Sequence, residues 1–390
     1  MIDDDDIAAV VKVLGSDWLT TGPSISAFEQ ALSEVVGSRG AAVCSSGTAA
    51  LHVSALAIGL GPGDRAVVPS LSFLATANAV RYVGAEVVFA DVDPGSGLMG
   101  ADDLATALNT TQDGSVRAVF PVHLNGQSAE MSAIAGIARE REIMIIEDAS
   151  HALGTRFIEP DGTAADVGGC RHSDMAVFSF HPAKTIAMGE GGAITSNGTE
   201  LLARSRRLRN HGMVREPSSF QQRDLAFEEG ELNAWYYEMS ELGFNYRASD
   251  LNCALGLSQL SKLHWFARKR RALATHYDGL LADLAPIVRP LDRVSQCRPA
   301  WHLYVVHVNF GSAKKSRAAT MRELRGHGIG TQVHYLPLHM QPYYRARYGD
   351  QKLPGAEQYY ATALSLPLHV NMEEEDVELV VARLAETLGV

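Results

Sequence analysis

Short apolar runs alternate along this chain with stretches of helical period. Residues 41–44, 65–69, 86–90, 116–123, 143–146 and 175–180 read as strands. Between them, 7–14, a run from Ser46 to about Leu60, 73–82, 131–140 and 201–209 read as helices. Asp3 to Asp6 stand at the start of the first helix, where carboxylates oppose the helix dipole, and are expected to be solvated. Gly15 stops it. The β-α-β-α rhythm predicts an α/β fold with a mainly parallel sheet covered by helices. Ligands in such sheets bind at the carboxyl ends of the strands. Asp148 and Ser179 stand at two such predicted ends, and Lys184 follows the second.

Further on, 216–233 is polar and acidic and reads as a mobile loop. Residues 250–271 read as one long helix with Leu251, Leu255, Leu260 and Leu263 as its apolar stripe, for a core or an interface. A strand at 303–308 and helices at 317–327 and 374–388 predict a smaller α+β domain. The expected division is therefore a large domain over 1–262 and a small one over 263–390.

The chain has 390 residues, 46% hydrophobic and 20% charged, an ordinary globular composition. Its net charge of −11 argues against a nucleic-acid or anionic-membrane surface, though not against a local phosphate pocket. Four scattered cysteines without C-x-x-C spacing predict neither a disulfide framework nor a zinc site, and no metal is expected. Reduced thiols, the absence of a basic, apolar leader and the lack of a membrane-length apolar run predict a cytoplasmic protein.

Lys184 lies in an apolar frame between a strand and the turn Gly189, Gly191, Gly192. Burial lowers an amine's pKa and makes it a nucleophile toward a carbonyl cofactor. A pyridoxal-phosphate site needs such a lysine, a carboxylate for the pyridine nitrogen and a phosphate cradle. Asp148 fits the second need. Ser179, with Gly47 and Thr48 at a helix start, fits the third. Phe73 is a candidate to stack on the ring. The glycines of 59–63 do not make a dinucleotide loop, since they end a helix and Asp64 stands where the third glycine belongs.

The blocks Ser46-Gly-Thr-Ala49, Glu147-Asp-Ala-Ser-His151, Phe178-Ser-Phe-His-Pro-Ala-Lys184, Gly189-Glu-Gly-Gly192 and Gly243-Phe-Asn-Tyr-Arg247 resemble the DegT/DnrJ/EryC1/StrS sugar aminotransferases, over nearly the whole chain. The resemblance implies a fold-type I architecture, with a mixed seven-stranded sheet, a smaller C-terminal domain and a homodimer with shared active sites. It implies pyridoxal 5'-phosphate as cofactor, with pyridoxamine 5'-phosphate as its intermediate form. Lys184 resembles the catalytic lysine, and Asp148 the pyridine-nitrogen partner. Gly47, Thr48 and Ser179 match phosphate binders, and Phe73 the stacking position. Asn245 matches a residue reaching the phosphate from the partner subunit. His151 stands where most members carry Gln beside the cofactor hydroxyl. Thr21, Arg247, His334 and Tyr335 are substrate-side candidates, although His334 and Tyr335 read equally well as the polar end of a strand.

With Ala254-Leu-Gly-Leu-Ser-Gln259, His302-Leu-Tyr304, Gln332-Val-His-Tyr335 and Ser365-Leu-Pro-Leu-His369, the chain resembles the subgroup of UDP-4-amino-4,6-dideoxy-N-acetyl-β-L-altrosamine transaminases. That implies glutamate as donor and a UDP-linked 4-keto sugar as acceptor, towards pseudaminic acid. Two alternatives stay open. One is amination of another nucleotide-linked 3- or 4-keto sugar, such as a dTDP sugar. The other is a non-catalytic cofactor-binding protein, which has no need of both Lys184 and Asp148.

Overall fold

A computed structural model describes residues 2–111, 115–159 and 161–390. Its centre is a seven-stranded sheet of β1 (Gly40–Cys44), β2 (Arg65–Pro69), β3 (Glu86–Ala90), β4 (Val116–Val119), β5 (Met144–Asp148), β6 (Met175–Ser179) and β7 (Gly192–Ser196). The spatial order is β1-β7-β6-β5-β4-β2-β3. Only β7 runs against its neighbours, pairing antiparallel with both β1 and β6. The strands are nearly continuous apolar runs because helices cover both faces. On one side Ala50, Val53 and Ala77 pack with Val68 and Val177. On others, Ile134 and Ala138 meet Val119 and Ile145, and Phe28 and Leu32 meet Phe178.

A second sheet joins Val288–Pro290, Tyr304–Val308 and Ala363–Leu366 antiparallel. The helices Leu263–Leu281, Arg317–Gly326 and Glu374–Leu388 pack around it through Leu273, Tyr277, Val306, Leu324, Leu364 and Leu384. Among the described residues no helix is long and apolar enough to cross a membrane.

Four expectations change. The helix read over 250–271 is two helices, Asp250–Ser261 and Leu263–Leu281. At Lys262 (φ −95°, ψ −2°) the backbone caps the first, while Nζ ion-pairs with Asp3 and, at 3.0 Å, with Asp6. Asp6 is therefore not a solvated cap residue: it is fully buried and also accepts from Gln259 Nε2 at 2.6 Å. The buried face of the first of these helices is Cys253, Gly256 and Leu260, with Leu251 and Leu255 only half-buried. Lastly, 216–233 contains a helical turn at Arg223–Ala226 and a hairpin pairing Phe227–Glu228 with Glu231–Leu232.

Candidate active site

The parallel strands β1, β2, β5 and β6 all end on the same sheet edge, so the residues after them are brought together. Ser46 and Gly47 follow β1, Ser72 and Phe73 follow β2, Asp148 ends β5 and Ser179 ends β6. They border a cavity of about 360 Å³ that also takes Lys184, His151, His334 and Tyr335.

The helix Gly47–Ala57 begins at this edge. Ser46 Oγ accepts from the Ala49 N–H at 3.1 Å, whereas Gly47 and Thr48 sit in the first turn, where N–H groups have no partner within the helix. A Cβ on Gly47 would lie 2.8 Å from Ser179 Cβ, so only glycine lets the helix start and Ser179 Oγ stand side by side. A Cβ on Gly192 would lie 2.3 Å from Ser46 O, so the turn before β7 closes against the same segment. The result is an anion cradle of backbone donors and a hydroxyl.

Asp148 is 5% exposed. Its Oδ2 accepts from Thr76 Oγ1 at 2.6 Å, its Oδ1 from the Ser150 N–H at 3.2 Å, and Thr76 in turn pairs with Ser72 Oγ at 2.7 Å. Burial pushes the Lys184 amine down to about 8, against a smaller opposing pull from Asp148. Lys184 is thus a half-buried cavity residue and not a surface loop lysine.

Two uncharged imidazoles and a phenol share the cavity with it. Burial, then the Lys184 charge and His334, holds His151 well below the ordinary imidazole range. Burial and Lys184 push His334 down to about 4. His334 Nδ1 pairs with Ser365 Oγ at 2.8 Å, and Tyr335 Oη with His151 Nε2 at 3.2 Å. Burial raises the Tyr335 phenol above its usual range. Phe73 caps the helix Leu74–Tyr82 in an extended conformation, which leaves its ring 54% exposed at the cavity, 5.9 Å from the Tyr335 ring.

Nine of the expected residues thus meet: Gly47, Thr48, Phe73, Asp148, His151, Ser179, Lys184, His334 and Tyr335. Thr21, Asn245 and Arg247 do not. Thr21 is exposed, Asn245 is exposed and bridges to Asn210, and Arg247 donates to Asn210 Oδ1 at 2.6 Å. Sequence reasoning missed Thr76, the partner of Asp148, and His302, whose ring packs 4.4 Å from that of His151. His302 lies in a block quoted for the subgroup resemblance, and Thr76 in the helix read from Phe73 onward. Only the pairing across 72 positions reveals the role of Thr76.

Comparisons with known proteins agree with this geometry. The model of the DegT/DnrJ/EryC1/StrS aminotransferase family matches residues 1–385. The spore coat polysaccharide biosynthesis protein SpsC of Bacillus subtilis is 34% identical over 385 residues, covering 98% of this chain and 94% of SpsC. The structure of Helicobacter pylori PseC, an aminotransferase involved in the biosynthesis of pseudaminic acid, superposes with a TM-score of 0.88 at 29% identity, covering 100% of this chain and 97% of PseC. NtdA from Bacillus subtilis, solved with bound cofactor PMP, superposes with a TM-score of 0.82 at 27% identity, covering 100% of this chain and 83% of NtdA.

Proposed function

Because this chain belongs to the DegT/DnrJ/EryC1/StrS aminotransferase family, we propose that it moves the amino group of glutamate to the 4-keto carbon of a UDP-linked 6-deoxy-N-acetylhexosamine, towards pseudaminic acid. The protein is a pyridoxal-phosphate-dependent sugar aminotransferase, using the pyridoxamine form in turn. The nucleotide, the sugar and the donor are the proposal, and the similarity to PseC supports them.

One observation carries the reading: a lysine with its amine near 8 shares a single cavity with a buried carboxylate and an anion cradle. The residues fit the cofactor. Gly47, Thr48 and Ser179 would hold its phosphate, Asp148 its ring nitrogen, and Phe73 and His151 its ring. When bound, pyridoxal phosphate supplies a cationic ring that accepts the electron pair released at the substrate carbon. Asp148 keeps a proton on the ring nitrogen. With the cofactor bound, Lys184 Nζ would take the proton from the donor's α-carbon and later deliver one to C4 of the sugar. His334 and Tyr335 orient the sugar. Thr21, Asn245 and Arg247 are assigned to the cavity of a second subunit, which makes the enzyme a homodimer. Their positions outside their own chain's cavity support that assignment. A division into domains at 262/263 and a cytoplasmic setting complete the proposal, supported by the separate C-terminal core and four free cysteines.

The test begins with the cofactor-loaded protein, whose near-visible band should shift on adding glutamate and be absent in Lys184→Ala. A panel of UDP- and dTDP-linked 3- and 4-keto sugars follows. Amination of dTDP sugars alone would sink the UDP assignment, and no turnover with any keto sugar would sink the catalytic reading.

A further inference from the structure

A second cleft, of about 820 Å³, shares no lining residue with the cavity of Lys184. One wall is the helix Leu263–Leu281, where His264, Arg268, Arg271 and Thr275 follow one another at spacings of four, three and four and so form one stripe. The other is a small antiparallel sheet of Arg156–Ile158, Ala164–Asp166 and Cys297–Arg298. In its register Arg298 lies directly opposite Arg156. Like charges so placed destabilise a strand pair unless something neutralises them.

Little within the chain does. Among the described lining residues Asp166 is the only carboxylate, 3.1 Å from Arg156 Nε. Arg268 and Arg298 have no carboxylate partner among the described residues, and Arg271 reaches only the Pro299 carbonyl, at 3.5 Å. Burial, and then the charges of Arg268 and Arg298, depress the Arg271 pKa, so these guanidiniums repel one another. At the margin Arg293 lies over the Trp301 ring, 4.3 Å from its centroid. The chain has 45 acidic and 34 basic residues, so an arginine cluster short of acids runs against its overall charge.

We propose that this cleft binds a phosphate-bearing small molecule of the nucleoside diphosphate class, at a site separate from the Lys184 cavity. Guanidinium forks match phosphate oxygens two at a time, and an anion there removes the repulsion among Arg268, Arg271 and Arg298. The cleft volume falls within the range of small-ligand sites. The site stands whether or not the sugar assignment above holds.

Calorimetry with inorganic pyrophosphate and with UDP, on the full-length cofactor-loaded protein, tests this. Both should bind, more weakly as salt is raised. The exposed double variant Arg268→Gln/Arg298→Gln should bind at least roughly tenfold more weakly, which is about 1.4 kcal/mol. Its thermal midpoint should be no lower than the parent's, because the substitutions remove repulsion, and its glutamate half-reaction should stay as in the parent. Ser179→Ala, in the phosphate cradle, should leave this binding unchanged. Arg268→Lys/Arg298→Lys should fall between, keeping charge and losing the fork. Equal binding by parent and Gln variant overturns the proposal, as does loss of binding in Ser179→Ala. A Gln variant that changes oligomeric state instead also overturns it, because the cleft then holds an acidic segment of a second copy.

Discussion

Thr76 Oγ1 lies 2.6 Å from Asp148 Oδ2, and the contact ties the helix after β2 to the end of β5. The hydroxyl can only donate to a carboxylate, so its lone pair is left for Ser72 Oγ, 2.7 Å away. The chain of donors fixes how Asp148 faces the cavity. Thr76→Val keeps the shape and removes the donor. A hydrogen bond to a buried charged group contributes about 1.5–3 kcal/mol. Thr76→Val should therefore lower the thermal midpoint and weaken cofactor retention, read by calorimetry and by dialysis. An unchanged affinity would mean that Thr76 does not orient Asp148.

The Lys184 amine, near 8, sits below the 10.5 of a free lysine because burial disfavours its charge. The rate at which cofactor-free protein combines with pyridoxal phosphate should rise through pH 8 and level off above it. Asp148 opposes the shift, since its charge favours the ammonium. Asp148→Asn should therefore move the midpoint below 8, not above. A midpoint near 10 in the parent would contradict the burial argument.

His151 is held in one tautomer. The Asn125 backbone N–H points at Nδ1 at 3.3 Å and can only donate, so the ring proton sits on Nε2 and is donated to Tyr335 Oη at 3.2 Å. The Tyr335 proton then has the cavity to turn to. Nitrogen NMR of the cofactor-free protein should show a neutral Nε2–H ring at His151 that stays neutral through the ordinary imidazole range, because burial disfavours its charge. Tyr335→Phe and His151→Phe should each lower kcat/KM, and the double variant should lose less than the sum, because both act on one proton. A His151 ring that titrates near 6.5 defeats the relay.

Gly47→Ala places a Cβ 2.8 Å from Ser179 Cβ, contact that neighbouring atoms must yield to. Overpacking of this kind costs about 1–3 kcal/mol. The expected outcome is a folded protein with weakened phosphate retention. Ser179→Ala should not rescue it, because the Cβ contact remains. Ser179→Gly should restore the fit of the helix start, though not the lost hydroxyl. Thermal midpoints of the single and double variants decide.

Local patterns made much of the molecule legible in advance. Apolar runs placed the parallel strands β1 to β6 because strands buried on both faces leave no alternation to misread. Helix bounds such as Met131–Glu140 and Glu374–Leu388 fell where the sequence reading put them. The strand β7 was missed because its five residues follow a glycine turn and contain Thr195 and Ser196, which are buried and polar.

By itself the sequence determined which residue types stand at strand ends: Asp148 after an apolar run, Ser179 and Lys184 after another, Gly47 and Thr48 at a helix start. Parallel order then forces those ends onto one edge, which is why Gly47, Thr48, Asp148, Ser179 and Lys184 could be named from the pattern, while the family resemblance added His151, His334 and Tyr335. The tertiary structure alone decided the rest. It divided the helix at Lys262 and brought Asp3 and Asp6, about 250 positions away, onto that side chain. It set Thr76 beneath Asp148, His302 beside His151, and Arg298 opposite Arg156. Such pairings depend on register and packing between distant segments, and no local pattern encodes them.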